Sequence, residues 1–332
     1  MALGGAGGAL FFWIGTPLPW MMGAMCATTI AAIAGLRIRA SKTLRNGFIM
    51  VLGVLLGSTF SPAMIDAVGQ WTASLAAMAG YVSVVGLGLC ALLLRISSYD
   101  RPTAYFSAAP GGLNEMIIVG GAMGGDDRVI SLIHSARVLF VVFSLPFFFS
   151  YGQSALPGAG GHGGLDWADI ALLCAAAVIG FPVAYLARIP AAQLIGPMLF
   201  SAAIHLAGWT AAGPPAELVA VAQVVIGSTI GSRFTGMDWH AMLRPVGYAL
   251  ILTVIMVAAS AGLALALHGA IGVPFDALWL AFSPGGLAEM SLIALALHLD
   301  PAFVATHHVF RILLVVILAP LAYRLFIRKK TS

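Results

Sequence analysis

The chain has 332 residues, of which 61% are hydrophobic and 8% charged, and its 16 Lys and Arg outnumber its 12 Asp and Glu to give a net charge of +4. A soluble globular chain carries roughly 25% charged residues, so this composition cannot cover a water-facing surface and excludes a soluble domain. The positive balance does not point to nucleic acid either, because the basic residues sit in short loops between apolar runs, where they orient a membrane protein.

Apolar segments are expected in chain order at about 2–15, 17–36, 43–60, 70–94, 103–124 and 129–150. A Gly-, Ser- and Pro-rich stretch at 151–165 reads as a linker. Further segments follow at about 168–187, 190–208, 216–231, 245–267, 275–298 and 302–325. The run from Trp71 to Leu94 carries no charged side chain, and 247–267 is equally apolar. About 20 such residues cross a bilayer as a helix. No cleavable signal peptide is expected, since 2–15 lacks a basic leading region and runs on into more apolar sequence. Cys26, Cys90 and Cys174 lie inside apolar segments with no metal-ligand spacing.

The two sets of six segments are copies. Pro110-Gly111-Gly112-Leu113-Asn114-Glu115-Met116 recurs as Pro284-Gly285-Gly286-Leu287-Ala288-Glu289-Met290. The same offset pairs Asp126 with Asp300, His134 with His308, Arg137 with Arg311 and Pro146 with Pro320. Between 110–146 and 284–320, 14 of 37 positions are identical without a gap. Pro17, Gly23, Met25 and Gly35 match Pro190, Gly196, Met198 and Gly208, and Gly57-Ser58-Thr59 matches Gly227-Ser228-Thr229. Such self-similarity is an internal duplication.

Charge in the loops chooses between parallel and inverted copies. Six full crossings per half would put Arg128, Arg188, Arg233 and Arg244 outside. If 103–124 and 275–298 instead enter and leave on one side, all 14 loop Lys and Arg become cytoplasmic, and Asp66, Glu217, Asp276 and Asp300 fall outside. The expected fold is therefore an all-α integral membrane protein of two inverted-topology repeats. Each has about five transmembrane helices plus one re-entrant hairpin with a Pro-Gly-Gly tip. The first repeat is 1–150, the linker 151–165 and the second repeat 166–328.

The hairpin has a chemical basis. Proline lacks an N–H and two glycines permit a sharp turn. About seven to nine residues precede the break, roughly 10–14 Å of helix, which ends mid-bilayer. The helix that resumes presents free N–H groups and a positive dipole end, suited to an anion. Pro110, Gly111, Gly112, Asn114, Pro284, Gly285 and Gly286 are candidate substrate-binding positions; the competing reading of the breaks is close packing. Glu115 and Glu289 lie three residues into those helices, and Arg137 and Arg311 lie mid-segment in the next. A carboxylate at that depth needs a partner or a proton. Two Glu–Arg pairs are expected, acting as structural locks, as coupling groups, or as both. His134 and His308 share the arginine face, three residues earlier. Ser58, Thr59, Ser228 and Thr229 offer hydroxyls to a substrate, or serve close packing with Gly53, Gly57, Gly227 and Gly231.

The duplicated Pro-Gly-Gly-Leu-x-Glu-Met followed by His-x-x-Arg resembles the bacterial AbrB membrane-protein family, over essentially the whole chain. Members are often labelled ammonia monooxygenase or regulator of gene expression. The resemblance implies a multi-pass inner-membrane protein and a transporter. An oxygenase would need clustered ligands, whereas the histidines at 134, 162, 205, 240, 268, 298, 307 and 308 are scattered. No catalytic residue, metal site or cofactor is expected. The expected function is secondary transport of a small organic anion coupled to H+ or Na+, with an indirect regulatory or sensory role as the alternative. The expected partners are that substrate, the lipid bilayer and, as a further candidate, a second copy in a homodimer. Both termini are expected to be cytoplasmic.

Overall fold

A computed structural model describes residues 1–64, 69, 71–149 and 166–327, and these form helices and turns. The expected linker at 151–165 and the tail with Arg328, Lys329 and Lys330 lie outside them. The first half forms α1 (Ala2–Ile14), α2 (Pro19–Ile33), α3 (Lys42–Gly57), α4 (Trp71–Ile96), α5 (Arg101–Ala108), α6 (Leu113–Ala122) and α7 (Asp127–Phe149). The second forms α8 (Trp167–Leu186), α9 (Ala192–Leu206), α10 (Ala216–Ser232), α11 (Trp239–Ile271), α12 (Phe275–Phe282), α13 (Leu287–Ala296) and α14 (Pro301–Ala322). Every helix thus has a mate seven places on. The expected single segments at 103–124 and 275–298 are each two helices, parted at Pro-Gly-Gly.

Caps explain several boundaries and one of the repeated residues. Asp126 Oδ1 accepts from the N–H groups of Arg128 at 2.8 Å and Val129 at 3.2 Å, which starts α7. Its copy Asp300 accepts from Phe303 N at 3.0 Å at the start of α14. The duplicated aspartates are helix caps. Asp238 caps α11 in the same way, with Ala241 N at 3.1 Å, so α11 begins earlier than the expected 245 and runs 33 residues.

Among the described residues five helices are long and apolar enough to cross a membrane: α4, α7, α8, α11 and α14. The other apolar helices, α1, α2, α6, α9, α10 and α13, are 10–17 residues long.

The chain divides into two compact units that do not follow the repeats, since each unit draws on both halves. One comprises Met1–Gly69, Phe143–Met237 and Ala288–Ala305. The other comprises Gln70–Val142, Asp238–Leu287 and Thr306–Ser332.

In the first unit α1 packs on α2, and α8 on α9. Across the halves α2 packs on α10 and α9 on α3, α1 on α10 and α8 on α3, and α3 on α10. Exchanging the halves maps this pattern onto itself. Glycine makes the approaches close enough. A Cβ on Gly23 would overlap the Gly7 carbonyl, and one on Gly196 would overlap that of Gly180. Gly57 likewise lies on the Met198 carbonyl and Gly227 on that of Met21. Small residues of this kind let helix backbones meet where lipid supplies no hydrophobic drive.

In the second unit α4 packs on α5, α11 on α12, and α4 on α11. These three contacts survive exchange of the halves, whereas α5 also packs on α6 and on the turn after α14 without a matching pair in the second half among the described residues. Tyr105 and Phe106 of α5 stack with Tyr323, in the π-helical turn Tyr323–Ile327 that follows α14, with centroids 5.7 and 5.5 Å apart.

Gly57→Val drives a branched side chain into the Met198 carbonyl and the Ser201 side chain. It is expected to cost about 1–3 kcal/mol. Gly262→Ala, where a Cβ meets nothing within 4 Å, should stay within about 0.5 kcal/mol of the parent. Thermal unfolding of both variants in detergent checks the contrast.

Candidate functional site

Each Pro-Gly-Gly leaves carbonyls without their regular α-helical donor. The last intrahelical bonds before the breaks are Ala109 N to Tyr105 O at 3.0 Å and Ser283 N to Trp279 O at 2.9 Å. The next donor in sequence would serve Phe106 O or Leu280 O, and it is Pro110 or Pro284, which has no N–H; Leu280 O keeps a share of the Ser283 N–H at 3.3 Å. An unsatisfied backbone group inside a membrane costs several kcal/mol.

His-x-x-Arg supplies the missing donors. His134 Nε2 donates to Phe106 O at 2.8 Å, and His308 Nε2 donates to Leu280 O at 3.2 Å. One turn further on, Arg137 donates through both terminal nitrogens to Ala109 O at 3.2 Å. Arg311 donates to Ser283 O at 2.7 Å and to Gly285 O. In both halves the histidine and the arginine reach a carbonyl 28 residues earlier. The three-residue spacing of His and Arg matches the spacing of the two open carbonyls. Carbonyls at a helix C-terminus carry the negative end of the dipole, so a guanidinium is well placed there.

The expected Glu–Arg pairs are therefore not what holds the arginines. Among the described residues neither Arg137 nor Arg311 bonds a carboxylate; their partners are the released carbonyls, with Met256 Sδ 3.4 Å from Arg137 and His134 Nδ1 also against it. The physical reason is that the break itself creates acceptors within reach of that helix face.

The glutamates serve the other side of each break. Glu115 occupies the first turn of α6 and folds back so that its carboxylate lies over Gly112, the residue that caps the helix. Glu289 sits in the first turn of α13, where its carboxylate takes its own backbone N–H. An anionic side chain in a first turn compensates the helix dipole. Glu289 belongs to the first unit, where the charges of Arg45 and Arg233 reach it.

The hydroxyl candidates are mostly engaged locally. Ser58 bonds Leu55 O and Thr59 bonds Leu56 O, both at 2.7 Å, and Thr229 bonds Val225 O at 2.8 Å. Ser228 Oγ is buried without a partner and lies where a Cβ on Gly4 would stand. All four belong to the first unit, whereas both breaks and both arginines belong to the second. Back-bonding of this kind spends the hydroxyl on its own helix.

Sequence reasoning missed several neighbours of the arginines. Tyr81 of α4 donates to Met256 O at 3.1 Å, its ring lies edge-on to Phe282 at 5.9 Å, and its oxygen is within reach of both guanidinium charges. Ser260 and Ser283 place their Oγ atoms 3.4 Å apart. His307, already noted among the scattered histidines, bonds Ser74 at 2.8 Å. Tyr81 and Ser260 lie in uncharged apolar runs; the one visible signal was a serine preceding Pro284 where alanine precedes Pro110.

The family described as "Transition state regulatory protein AbrB" matches residues 20–327. The chain belongs to the AbrB family. It is 27% identical over 353 residues to "Uncharacterized protein YhjN" of Bacillus subtilis (strain 168), covering 98% of this chain and 91% of that protein. It is 25% identical over 319 residues to "Putative regulator AbrB" of Escherichia coli (strain K12), covering 93% and 90%. The resemblance carried by the paired motifs is thereby shown, and this AbrB-family chain is a helical protein of membrane character.

His134→Phe removes the donor to Phe106 O and is expected to cost about 1–3 kcal/mol. Pro110→Ala restores an N–H that can serve the same carbonyl, so the double variant should lose less than the two single losses combined. A coupling of about 0.5–3 kcal/mol is expected from the cycle, read by unfolding in detergent. Strict additivity would contradict the proposed donor–acceptor logic.

Proposed function

We propose that the protein is a secondary transporter of a small organic anion, coupled to H+ or Na+, in the bacterial inner membrane. The observation that carries this reading is the duplicated break, two Pro-Gly-Gly turns in one unit, each closed by a buried arginine of the long helix that follows. Non-helical backbone at membrane depth is tolerated where it is buried in protein or lines a wet cavity. Paired discontinuous helices from two repeats are how many transporters build a substrate site. The contact pattern of the first unit, which survives exchange of the halves, supports two equivalent repeats.

In this reading the repeats are inverted. Each crosses the bilayer five times, each broken segment enters and leaves on one side, and both termini are cytoplasmic. The protein carries out no covalent chemistry. The glutamates at the half-helix N-termini are the coupling groups, since proton or sodium binding there changes the charge at the breaks.

A second reading is favoured by the family description and by the name of the Escherichia coli relative, both of which speak of regulation. Transport of a signalling metabolite would alter gene expression indirectly and accommodates both.

Arg128 and His298 follow the broken segment in the first and second half and are exposed. Single cysteines at these positions, in a background lacking Cys26, Cys90 and Cys174, should react with an impermeant maleimide from opposite sides. Reaction from one side would mean parallel repeats. Transport itself is read in proteoliposomes with a substrate found by comparing metabolites of cells with and without the protein. Glu115→Gln and Glu289→Gln should abolish or shift the pH or sodium dependence; unchanged dependence in both would leave the glutamates as helix-dipole partners alone.

A further inference from the structure

Two guanidiniums share the second unit, Arg137 4% and Arg311 2% exposed, and Tyr81 lies within reach of both charges. Two like charges buried together are unstable unless something of opposite sign joins them. No carboxylate bonds either one among the described residues, and the acceptors they do meet are neutral carbonyls and a thioether. Arg311 has capacity left over, because its Nε is buried without a hydrogen-bond partner. The groups gathered beside the pair are also neutral and polar: Tyr81, Ser260 and Ser283.

A charge estimate narrows what could complete this arrangement. Each arginine sits on the C-terminal end of a half-helix, α5 or α12, which carries roughly half a negative charge. Two such ends offset about one of the two positive charges. One positive charge remains, and a single negative charge balances it.

We propose that Arg137 and Arg311 form an oxyanion site for a monovalent carboxylate, one of whose oxygens takes the free Nε–H of Arg311. This deepens the transporter reading and rests on it for the ligand's role as cargo. It places the anion on the arginine pair rather than on the half-helix N-termini, which their own glutamates already compensate.

The test uses the full chain purified in detergent, with sodium propionate, sodium succinate, sodium sulfate and choline chloride compared at equal ionic strength. Propionate is expected to raise the unfolding midpoint saturably and by more than any of the others. Arg311→Gln should abolish the propionate shift. Arg311→Lys, which keeps the charge but not the fork of donors, should weaken apparent propionate binding at least tenfold, and it serves as the readout should the glutamine variant fail to fold. Absence of a specific propionate shift in the parent, a larger shift with sulfate or succinate, or an unchanged shift in the lysine variant would each overturn the site. Binding without carboxylate flux in proteoliposomes would overturn the transporter reading and leave the site standing. Flux of a substrate in a chain that binds no carboxylate at the arginines would do the reverse.

Discussion

A helix interrupted inside a membrane has to account for each carbonyl it releases, and this obligation organises the second unit. Buried backbone acceptors need donors, and those that lose one to Pro110 and Pro284 are met by the protein itself. The next helix in each half meets them with an imidazole N–H and, one turn later, a guanidinium. Proline and histidine are thus two halves of one solution. The same bonds fix the register of α7 against α5 and of α14 against α12, and with it the placement of every other side chain around the breaks.

The first unit solves a different problem. It holds apolar helices of 10–17 residues together with the longer α8, and in lipid such helices gain nothing from hiding apolar surface. Van der Waals contact has to hold them instead, and glycine permits it by bringing backbone onto backbone at Gly7 and Gly23, and again at Gly180 and Gly196. The hydroxyls of Ser58, Thr59 and Thr229 fit this account, since they return to their own helices and leave the packing surface smooth.

Much of this could be read in the sequence because the chain states it twice. Repetition exposed the breaks, the His-x-x-Arg couple and the capping aspartates, and composition fixed the membrane class. What escaped was the identity of the arginines' partners. Charges are visible in a sequence, so Glu115 and Glu289 drew the arginines on paper; orphaned carbonyls are invisible until a proline is counted as a missing donor four residues on. Tyr81 and Ser260 escaped for another reason. They are unrepeated polar atoms in long apolar helices, and nothing local separates them from packing residues.

The two units place different demands on the repeats, and this bears on ancestry. Each break is closed within its own half, Phe106 by His134 and Leu280 by His308. A half-length chain would already have carried a finished break. The glycine-lined packing is another matter, because α2 meets α10 and α3 meets α9 only when two copies are present. An unduplicated forebear would have needed a twin molecule to assemble that layer, working as a pair of identical short chains. Joined in one chain the copies are free to differ, as they do with alanine before Pro110 and serine before Pro284, and with Asn114 against Ala288.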